Sequence, residues 1–452
     1  MTTTALSISP GTLAALTSAL SDTQARLAQH YPGEAGTRQP VHTVYGGAHL
    51  FKAETGRRLG ELGLRSLEQY APDAATFARA ILLDPALADR IYARVVEKLR
   101  REAVEDFRID FEDGYGNRAD AEEDGHAVAA GEEVAKGMAA GTLPPFLGIR
   151  IKTLSGELGG RALRTLDAFV TTVVKKTGGA LPPNFVVTLP KITSVEHVST
   201  LVAAFEALEA ALGLATGSLK MEFMIETTQS IVDVDGTIML PRMLVAAQGR
   251  CIAAHFGVYD FTASNDITAQ HQRMGHGACD FARHMMKMAY ASTGLWLSDG
   301  ATNVMPVAPH RAAPGTALTA DETAANRRAV HAAWRLHADD IRHSLESGFY
   351  QGWDLHPAQL PTRYAATYGF FLTGLASASE RLSNFVSKAA QATLVGDIFD
   401  DAATGQGLLN FFLRGINCGA LTEDEALKAG VTLDELRGRS FVKILKNRRG
   451  LS

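Results

Sequence analysis

The sequence predicts an α/β protein in which eight parallel strands form a (β/α)8 TIM barrel. Eight short apolar segments each end in a polar or charged cluster, and helical patterns separate them, as parallel pairing requires. Composition agrees, because 46% hydrophobic and 21% charged residues are ordinary for a globular protein. The segments are residues 41–49, 108–116, 146–152, 185–191, 220–227, 251–260, 302–310 and 352–359.

The chain of 452 residues extends beyond a barrel at both ends. Residues 1–40 are predicted to form an N-terminal helical arm packed on the barrel, since leucines approximate a helical stripe before YPGEAGTRQP breaks the pattern. The catalytic barrel is predicted to span residues 41–375. Residues 376–452 are predicted to form a C-terminal helical extension.

Helix signals lie between the strands and in the extension. Ser194 is a suitable N-cap for the apolar pattern that follows the fourth segment. In the extension, Thr422 with Glu425 and Thr432 with Glu435 have the spacing of capping boxes. These signals predict helices outside the sheet and a helical tail.

Composition also limits the expected partners. A net charge of -5 and a pI near 6.3 give no electrostatic footprint for nucleic acid or an anionic membrane, so small molecules are expected. The N-terminus lacks the pattern of a signal peptide, no apolar run is long enough for a membrane span, and the three cysteines form no CxxC pair. A cytoplasmic location is therefore expected.

Two carboxylates follow neighbouring strands of the predicted barrel. Glu226 ends the fifth strand and Asp260 ends the sixth. Adjacent strands lie about 5 Å apart, so both side chains can reach one site. Carboxylates without nearby cysteine or clustered histidine favour a hard cation such as Mg²⁺, which would take its remaining ligands from water and an oxygen-rich substrate. The alternative is that each carboxylate caps the helix that follows it.

Strand three ends in a buried cation. Arg150 shares one strand face with Gly148 and Lys152, while apolar residues occupy the other face, which places Arg150 inside the barrel. A guanidinium there is suited to grip a carboxylate or a developing enolate oxygen. A salt bridge to the acids of strand two is the alternative, and the two interpretations are compatible.

Strand two supplies those acids in the sequence DFEDG. Asp110 and Glu112 face one way, and Asp113 begins the turn. Buried acids need partners. We expect Glu112 and Asp113 to form the outer part of a cation site, where they hold water. The alternative is a structural network that positions Arg150.

Two other strands end in groups with useful chemistry. Lys191, in LPK after strand four, is expected to hold substrate charge or to form a Schiff base, with a solvated rim lysine as the alternative. His356 on strand eight is a candidate acid or base, or a supporting residue behind the site. His255 is predicted to be a core histidine. No GxGxxG, P-loop or GxSxG motif occurs in its required context.

Taken in order, these motifs resemble the citrate lyase β-subunit-like group of the HpcH/HpaI aldolase superfamily, which includes malyl-CoA lyase and is related to malate synthase. The matching segments are DFEDGYG, IRIK, LPKI, MIETTQSI, FGVYDFT and GFYQGWDLHPAQL, within residues 41–375. The resemblance implies a metal-dependent lyase or aldolase that cleaves or forms a carbon–carbon bond next to a 2-oxo acid or an acyl-CoA thioester. It assigns Mg²⁺, or Mn²⁺ in its place, to Glu226 and Asp260, and substrate to Arg150. It also implies a homo-oligomer, a trimer or hexamer.

The expected mechanism stabilises an enolate through the metal and Arg150. A base must also remove the hydroxyl proton. The candidates are a water held by Glu112 or Asp113, Asp266 in the loop after strand six, and His356, and the sequence does not choose among them.

The sequence departs from the resemblance at two loops. The first strand ends VYGGAH where many relatives have a proline-containing turn, and the third reads RIKT where an asparagine often follows the arginine by two. These loops shape the acyl and CoA side of the pocket, so the use of CoA stays open. Three alternatives also stay open: a condensing enzyme of the malate synthase type, a non-catalytic barrel that binds a 2-oxo acid, and a phosphoenolpyruvate enzyme.

Overall fold

Eight parallel strands close into a barrel in chain order, which confirms the predicted (β/α)8 fold. The structure is a computed structural model, and it describes residues 7–33, 37–387, 393–395, 398–400, 402–438, 444 and 447–448. The barrel strands are β1 (His42–Gly47), β2 (Asp106–Asp110), β3 (Phe146–Arg150), β4 (Phe185–Leu189), β5 (Lys220–Ile225), β6 (Cys251–Phe256), β7 (Trp296–Ala301) and β8 (Gln351–Asp354). A short antiparallel pair, β9 (Thr393–Val395) and β10 (Ile398–Asp400), lies in the C-terminal extension.

Helices follow the strands and continue beyond the barrel. They are α1 (Pro10–His30), α2 (Thr55–Tyr70), α3 (Ala74–Ile81), α4 (Ala88–Arg101), α5 (Asp120–Ala140), α6 (Gly159–Thr177), α7 (Val195–Leu212), α8 (Met239–Ala246), α9 (Val258–Ser264), α10 (Gly277–Tyr290), α11 (Ala320–Glu346), α12 (Leu360–Ser387), α13 (Ala402–Asn417), α14 (Glu423–Leu427) and α15 (Leu433–Arg437). Ser194 occupies the predicted N-cap position of α7, but its side chain makes no capping hydrogen bond. Both predicted capping boxes form at the starts of α14 and α15. None of these helices is long and apolar enough to cross a membrane.

The predicted seventh strand is wrong. Residues 302–310 form a loop, and the strand lies just before them at β7. The loop is apolar but contains two prolines, which cannot donate to a central ladder. Within β7, Asp299 hides the strand pattern, although it is buried and accepts hydrogen bonds from Arg283 at 2.8 Å and Ser344 at 2.5 Å. A buried ion pair therefore replaces the expected apolar residue.

The N-terminal helix is present but does not pack as expected. Every residue of α1 is exposed, so this helix does not bury a face against the barrel. The end of the predicted arm does contact the barrel, because Arg38 pairs with Glu105 at 2.8 Å and Gln39 Nε2 donates to the Leu297 carbonyl at 3.2 Å. At the other end, α12 runs through residue 375, where the sequence places the end of the barrel. The division into arm, barrel and extension stays a prediction.

The barrel interior is polar, whereas the outer face of the sheet is apolar. We call the buried residues Asp106, Arg108, Thr188, Glu222 and His255 the interior cluster. Arg108 donates from Nε and Nη2 to the two carboxylate oxygens of Glu222, each at 2.7 Å. It also contacts Asp106, Thr188 donates to Glu222, and His255 Nε2 lies 3.0 Å from Glu222 Oε2. His255 is therefore a core histidine, as predicted.

Candidate active site

Polar side chains from five neighbouring strands meet at the carboxyl end of the barrel. This is the end at which barrel enzymes place their catalytic groups. We call the set the mouth cluster. It contains the cations Arg150 and Lys191 and the carboxylates Asp110, Glu112, Asp113, Glu226 and Asp260.

Arg150 is held rigidly at the end of β3. It is 1% exposed, and its Nε and Nη2 donate to the two oxygens of Asp110 at 2.7 and 2.5 Å. Its Nη1 lies 3.0 Å from Glu112 Oε2 and 3.3 Å from Asp113 Oδ2. The predicted salt bridge to strand two is confirmed. The fork-to-fork geometry fixes the plane of the guanidinium and aims Nη1 at the remaining acids.

The loop after β2 is folded around Asp110. The Asp110 carboxylate accepts hydrogen bonds from the backbone N–H groups of Glu112 at 2.9 Å and Gly114 at 2.7 Å. A Cβ on Gly114 would lie 2.6 Å from Asp110 Oδ2, so only glycine permits this close turn. The turn holds Glu112 beside Arg150.

Lys191 contacts four of the five carboxylates of the mouth cluster. Its Nζ pairs with Glu112 and lies 3.3 Å from Asp113 Oδ1 and 3.4 Å from Asp260 Oδ2. Its backbone N–H donates to Glu226 Oε1 at 2.8 Å. The residue has a φ of +49°, a left-handed conformation that is uncommon outside glycine and that collects at functional sites.

The charge state of Lys191 argues against a Schiff base. Burial alone would lower its pKa, but Glu226, Glu112 and Asp113 together raise the pKa above its ordinary value. A protonated amine is not a nucleophile. Lys191 is therefore a cation of the site, which leaves the expectation that it holds substrate charge.

Glu226 and Asp260 lie together, as the strand order predicts. Glu226 is 1% exposed, whereas the Asp260 side chain is 44% exposed in the first turn of α9. Burial raises the pKa of Glu226 to about 8, and Asp260 and Glu112 add to this shift while Lys191 and Arg150 oppose it. A Cβ on Gly257 would lie 2.6 Å from Glu226 Oε2, so this glycine leaves room for the carboxylate.

The helix-capping alternative for these two carboxylates is wrong. The N-cap residue of α9 is Gly257, and Asp260 lies inside the helix. After Glu226 the chain forms turns, and the next helix, α8, begins only at Met239. Neither carboxylate has a capping role.

The donor set of the mouth cluster fits a hard divalent cation. Among the described residues, no group of three or more histidine, cysteine or acidic side chains is arranged to enclose a metal ion. Mg²⁺, however, usually binds one or two carboxylates and completes its octahedron with water and substrate. Glu226 and Asp260 suit that pattern, and the cluster has five carboxylates against two cations.

Two predicted residues lie outside the cluster. His356 follows β8, where its Nδ1 accepts a hydrogen bond from the backbone N–H of Ala358 at 3.1 Å and burial lowers its pKa. Its ring lines an apolar cavity of about 170 Å³ behind β1. Asp266 is exposed in a left-handed turn after α9. No described contact joins either residue to the mouth cluster.

Sequence reasoning missed the aromatic floor of the site. The Tyr45 and Trp353 rings pack with centroids 4.3 Å apart, and the Arg150 guanidinium carbon lies 4.9 and 5.5 Å from their centroids. Strand alternation was the available signal, because Tyr45 lies two residues before Gly47 and Trp353 two after Gln351, on faces that point inward. These rings support the guanidinium from below.

A family model described as a domain of unknown function, DUF6986, matches residues 20–444. No protein of curated function matches the chain. Among solved structures, a citrate lyase from Burkholderia xenovorans LB400 is similar at 18% identity with a TM-score of 0.55, over 87% of this chain and 96% of that one. That similarity shows a shared fold.

Two further structures are similar at lower scores. CitE from Mycobacterium tuberculosis, in complex with magnesium, acetoacetate and coenzyme A, is 15% identical with a TM-score of 0.49, over 85% of this chain and 100% of that one. Malate synthase from Haloferax volcanii is 14% identical with a TM-score of 0.44, over 93% and 100%.

Proposed function

The chain belongs to the family described as a domain of unknown function, DUF6986, and we propose that it is a metal-dependent carbon–carbon lyase or aldolase. It would cleave or form a bond next to the carbonyl of a 2-oxo acid or an acyl-CoA thioester. The observation that carries this proposal is the buried Glu226 beside Asp260, with the buried Arg150 and the partly exposed Lys191 in the same cluster. The fold shared with a citrate lyase agrees with it.

Glu226 and Asp260 would hold Mg²⁺ or Mn²⁺. When bound, the ion would act as a Lewis acid on the carbonyl of the 2-oxo acid. The raised pKa of Glu226, to about 8, supports this assignment, because burial and the neighbouring acids Asp260 and Glu112 outweigh the positive charge of Lys191 and Arg150.

Arg150 and Lys191 would bind and orient the substrate. The Arg150 guanidinium is pre-oriented by Asp110, so it can stabilise negative charge on a substrate oxygen without first reorganising. The Lys191 ammonium is 28% exposed and can reach the carboxylate of a 2-oxo acid at the barrel mouth. Together they favour an anionic substrate.

Glu112 is the best-placed group for proton transfer. Burial raises its pKa, Asp113 adds to the shift, and Arg150 and Lys191 oppose it. During cleavage the substrate hydroxyl proton would pass to Glu112 and the hydroxyl carbon would become a carbonyl. The electron pair of the broken carbon–carbon bond would go to the enolate. A carboxylate with a raised pKa is suited to both directions of this transfer.

The remaining parts of the proposal concern CoA, assembly and location. The motif resemblance supports an acyl-CoA thioester as one substrate class and a homo-oligomer as the assembly. A cytoplasmic location agrees with the composition. These parts depend on the same resemblance as the chemistry, so the first experiment addresses the ligands.

The test is calorimetric titration of the metal-stripped protein with pyruvate, oxaloacetate and glyoxylate, with and without Mg²⁺ and CoA. We expect 2-oxo acid binding that requires Mg²⁺ and is lost in Glu226→Gln. Glu97→Gln, which changes an exposed carboxylate on α4, is the matched control and should bind as the wild type does. A gain in affinity with CoA would select thioester chemistry.

A second readout follows the enolate directly. In D₂O, the wild type with Mg²⁺ should exchange the methyl protons of pyruvate, which NMR detects, and Glu226→Gln should not. Absence of both binding and exchange in the folded wild type would refute the proposal. Binding without exchange or cleavage would instead indicate a non-catalytic barrel.

A further inference from the structure

Lys191 occupies an unusual place, because its ammonium lies among the carboxylates that would receive the metal. Its Nζ is within 3.5 Å of Asp113 and Asp260 and pairs with Glu112, and its backbone binds Glu226. The ammonium of Lys191 thus contacts acids from two strand ends, and its backbone N–H binds an acid from a third.

We propose that Lys191 is a built-in counter-ion of the mouth cluster, which a divalent cation displaces and a 2-oxo acid then recaptures. The consequence is that metal and acid bind cooperatively, each weakly alone and tightly together. This inference rests on the proposed function and adds to it an order of events and a residue that enforces them.

The two cations of the cluster differ in their freedom to move. Arg150 is 1% exposed and makes a bidentate pair with Asp110, so it stays in place. The Lys191 side chain is 28% exposed and ends in a compact point charge on a flexible stem. Its partners Asp113 and Asp260 are half exposed as well, at 55% and 44%. Lys191 is therefore the cation that can leave.

Displacement has an electrostatic cause. A divalent ion on Glu226 and Asp260 would lie next to the ammonium, and like charges a few ångströms apart repel in a partly buried site. The ammonium must then swing away from Asp260 and lose its partners. The carboxylate of a 2-oxo acid supplies a new partner at the same mouth, which removes that cost. Because coupling of two ligands is reciprocal, the acid must strengthen metal binding by the same factor.

The experiment measures metal affinity without turnover. Mn²⁺ is titrated by electron paramagnetic resonance into the metal-stripped full-length protein, alone and with oxalate as an unreactive acid. In the wild type we expect weak Mn²⁺ binding that oxalate strengthens. In Lys191→Met we expect Mn²⁺ alone to bind at least about tenfold tighter, and we expect oxalate to strengthen Mn²⁺ binding less than it does in the wild type.

Two controls separate local charge from general effects. Lys220→Met removes the same charge at the opposite end of β5, where Lys220 Nζ donates to the Gly249 carbonyl at 3.3 Å, and it should behave as the wild type. Lys191→Arg keeps the charge and should keep the coupling to oxalate.

Thermal unfolding covers the case in which Lys191→Met is unstable. Mn²⁺ should raise the Tm of Lys191→Met and of Lys191→Gln more than that of the wild type. Equal or weaker Mn²⁺ binding in the Lys191 variants, with the oxalate coupling retained, would overturn the inference. If the variants bind Mn²⁺ more tightly but the wild type neither binds nor exchanges pyruvate, the counter-ion role of Lys191 stands, whereas its recapture by a 2-oxo acid and the proposed function fail.

Discussion

Two buried charge clusters share one barrel, and strand β5 supplies a glutamate to each. In the interior cluster, Glu222 receives two hydrogen bonds from Arg108 and contacts Thr188 and His255. Burial alone would raise the pKa of Glu222, but Arg108 and His255 bring it well below its ordinary value. Four residues later, Glu226 accepts a hydrogen bond from the Lys191 backbone N–H but forms no described pair with a guanidinium, and its pKa rises to about 8.

The contrast separates charges that are paired inside the barrel from charges that are left unmatched at its mouth. In the interior cluster Arg108 makes a bidentate pair with Glu222 and also contacts Asp106. These close pairs stabilise one another. The mouth cluster has five carboxylates and two cations, which costs stability until a cation binds to the native state. Burial is similar for Glu222 and Glu226, so pairing rather than depth distinguishes the two regions.

The largest expected effect is a difference in the free energy of unfolding between two variants, Glu222→Gln and Glu226→Gln. Glu222→Gln leaves Arg108 without its charged partner inside the barrel, and loss of one partner of a buried pair costs about 3–5 kcal/mol in the free energy of unfolding. Glu226→Gln removes an unmatched carboxylate, so the metal-free protein should be as stable as the wild type or more stable. Urea unfolding of the two variants measures both.

These two variants test whether the interior cluster and the mouth cluster differ in their contribution to stability. If Glu226→Gln destabilises the metal-free protein as much as Glu222→Gln does, both clusters are structural. The same urea unfolding is then repeated with Mg²⁺ and oxalate. These ligands should stabilise the wild type and Glu222→Gln but not Glu226→Gln.

A smaller effect, on the rate of pyruvate proton exchange, should distinguish the two candidates for proton transfer. Glu112 lies in the mouth cluster against Arg150 and Lys191, whereas His356 caps a turn beside an apolar cavity. Glu112→Gln should lower the rate of pyruvate proton exchange about a hundredfold, the lower end of the range for a general base. His356→Asn, which keeps a side chain able to cap, should change the rate by no more than a few fold.

The measurement is the exchange rate at saturating pyruvate and Mg²⁺ as a function of pH. Loss of the basic or acidic limb of the profile in Glu112→Gln would identify the titrating group. The reverse ranking, with His356 dominant, would move proton transfer from strand two to strand eight.

The sequence allowed the positions of most mouth residues to be predicted. Parallel strands end at one edge, so Glu226 and Asp260 could be brought together from strand order alone. Two-residue alternation placed Arg150 inside the barrel and Glu112 on the same face as Asp110. These are local rules, and the structure confirms the placements because neighbouring strands pair in chain order.

Other features depend on partners far away in the chain. Arg108 and Glu222 are 114 residues apart, so nothing local shows that they neutralise each other. The left-handed backbone of Lys191 accompanies the hydrogen bond from its N–H to Glu226, and no glycine or asparagine in the sequence announces it. Asp299 likewise concealed β7 because its partner Arg283 lies on α10. Pairing choices of this kind are decided in three dimensions.

The smallest predicted effect tests whether an unmatched carboxylate by itself marks function. Asp340 on α11 lies away from the mouth cluster and accepts a hydrogen bond from Thr302 at 2.6 Å. Burial raises its pKa to about 6, with Asp299 adding to the shift and Arg283 opposing it. Because the folded pKa exceeds the unfolded value of 3.8, its contribution to stability is fully present below pH 3.8 and is lost as the pH rises through 6. Asp340→Asn should therefore remove about 2 kcal/mol from the decline in stability between pH 4 and pH 7.

Activity should not change, because no described contact joins Asp340 to the mouth cluster. If the pH dependence of urea unfolding is identical in wild type and variant, the folded protein does not raise the pKa of Asp340, and its carboxylate is not unmatched. If activity falls together with the altered pH dependence, the unmatched carboxylate of Asp340 also contributes to function, and the functional region extends beyond the mouth cluster.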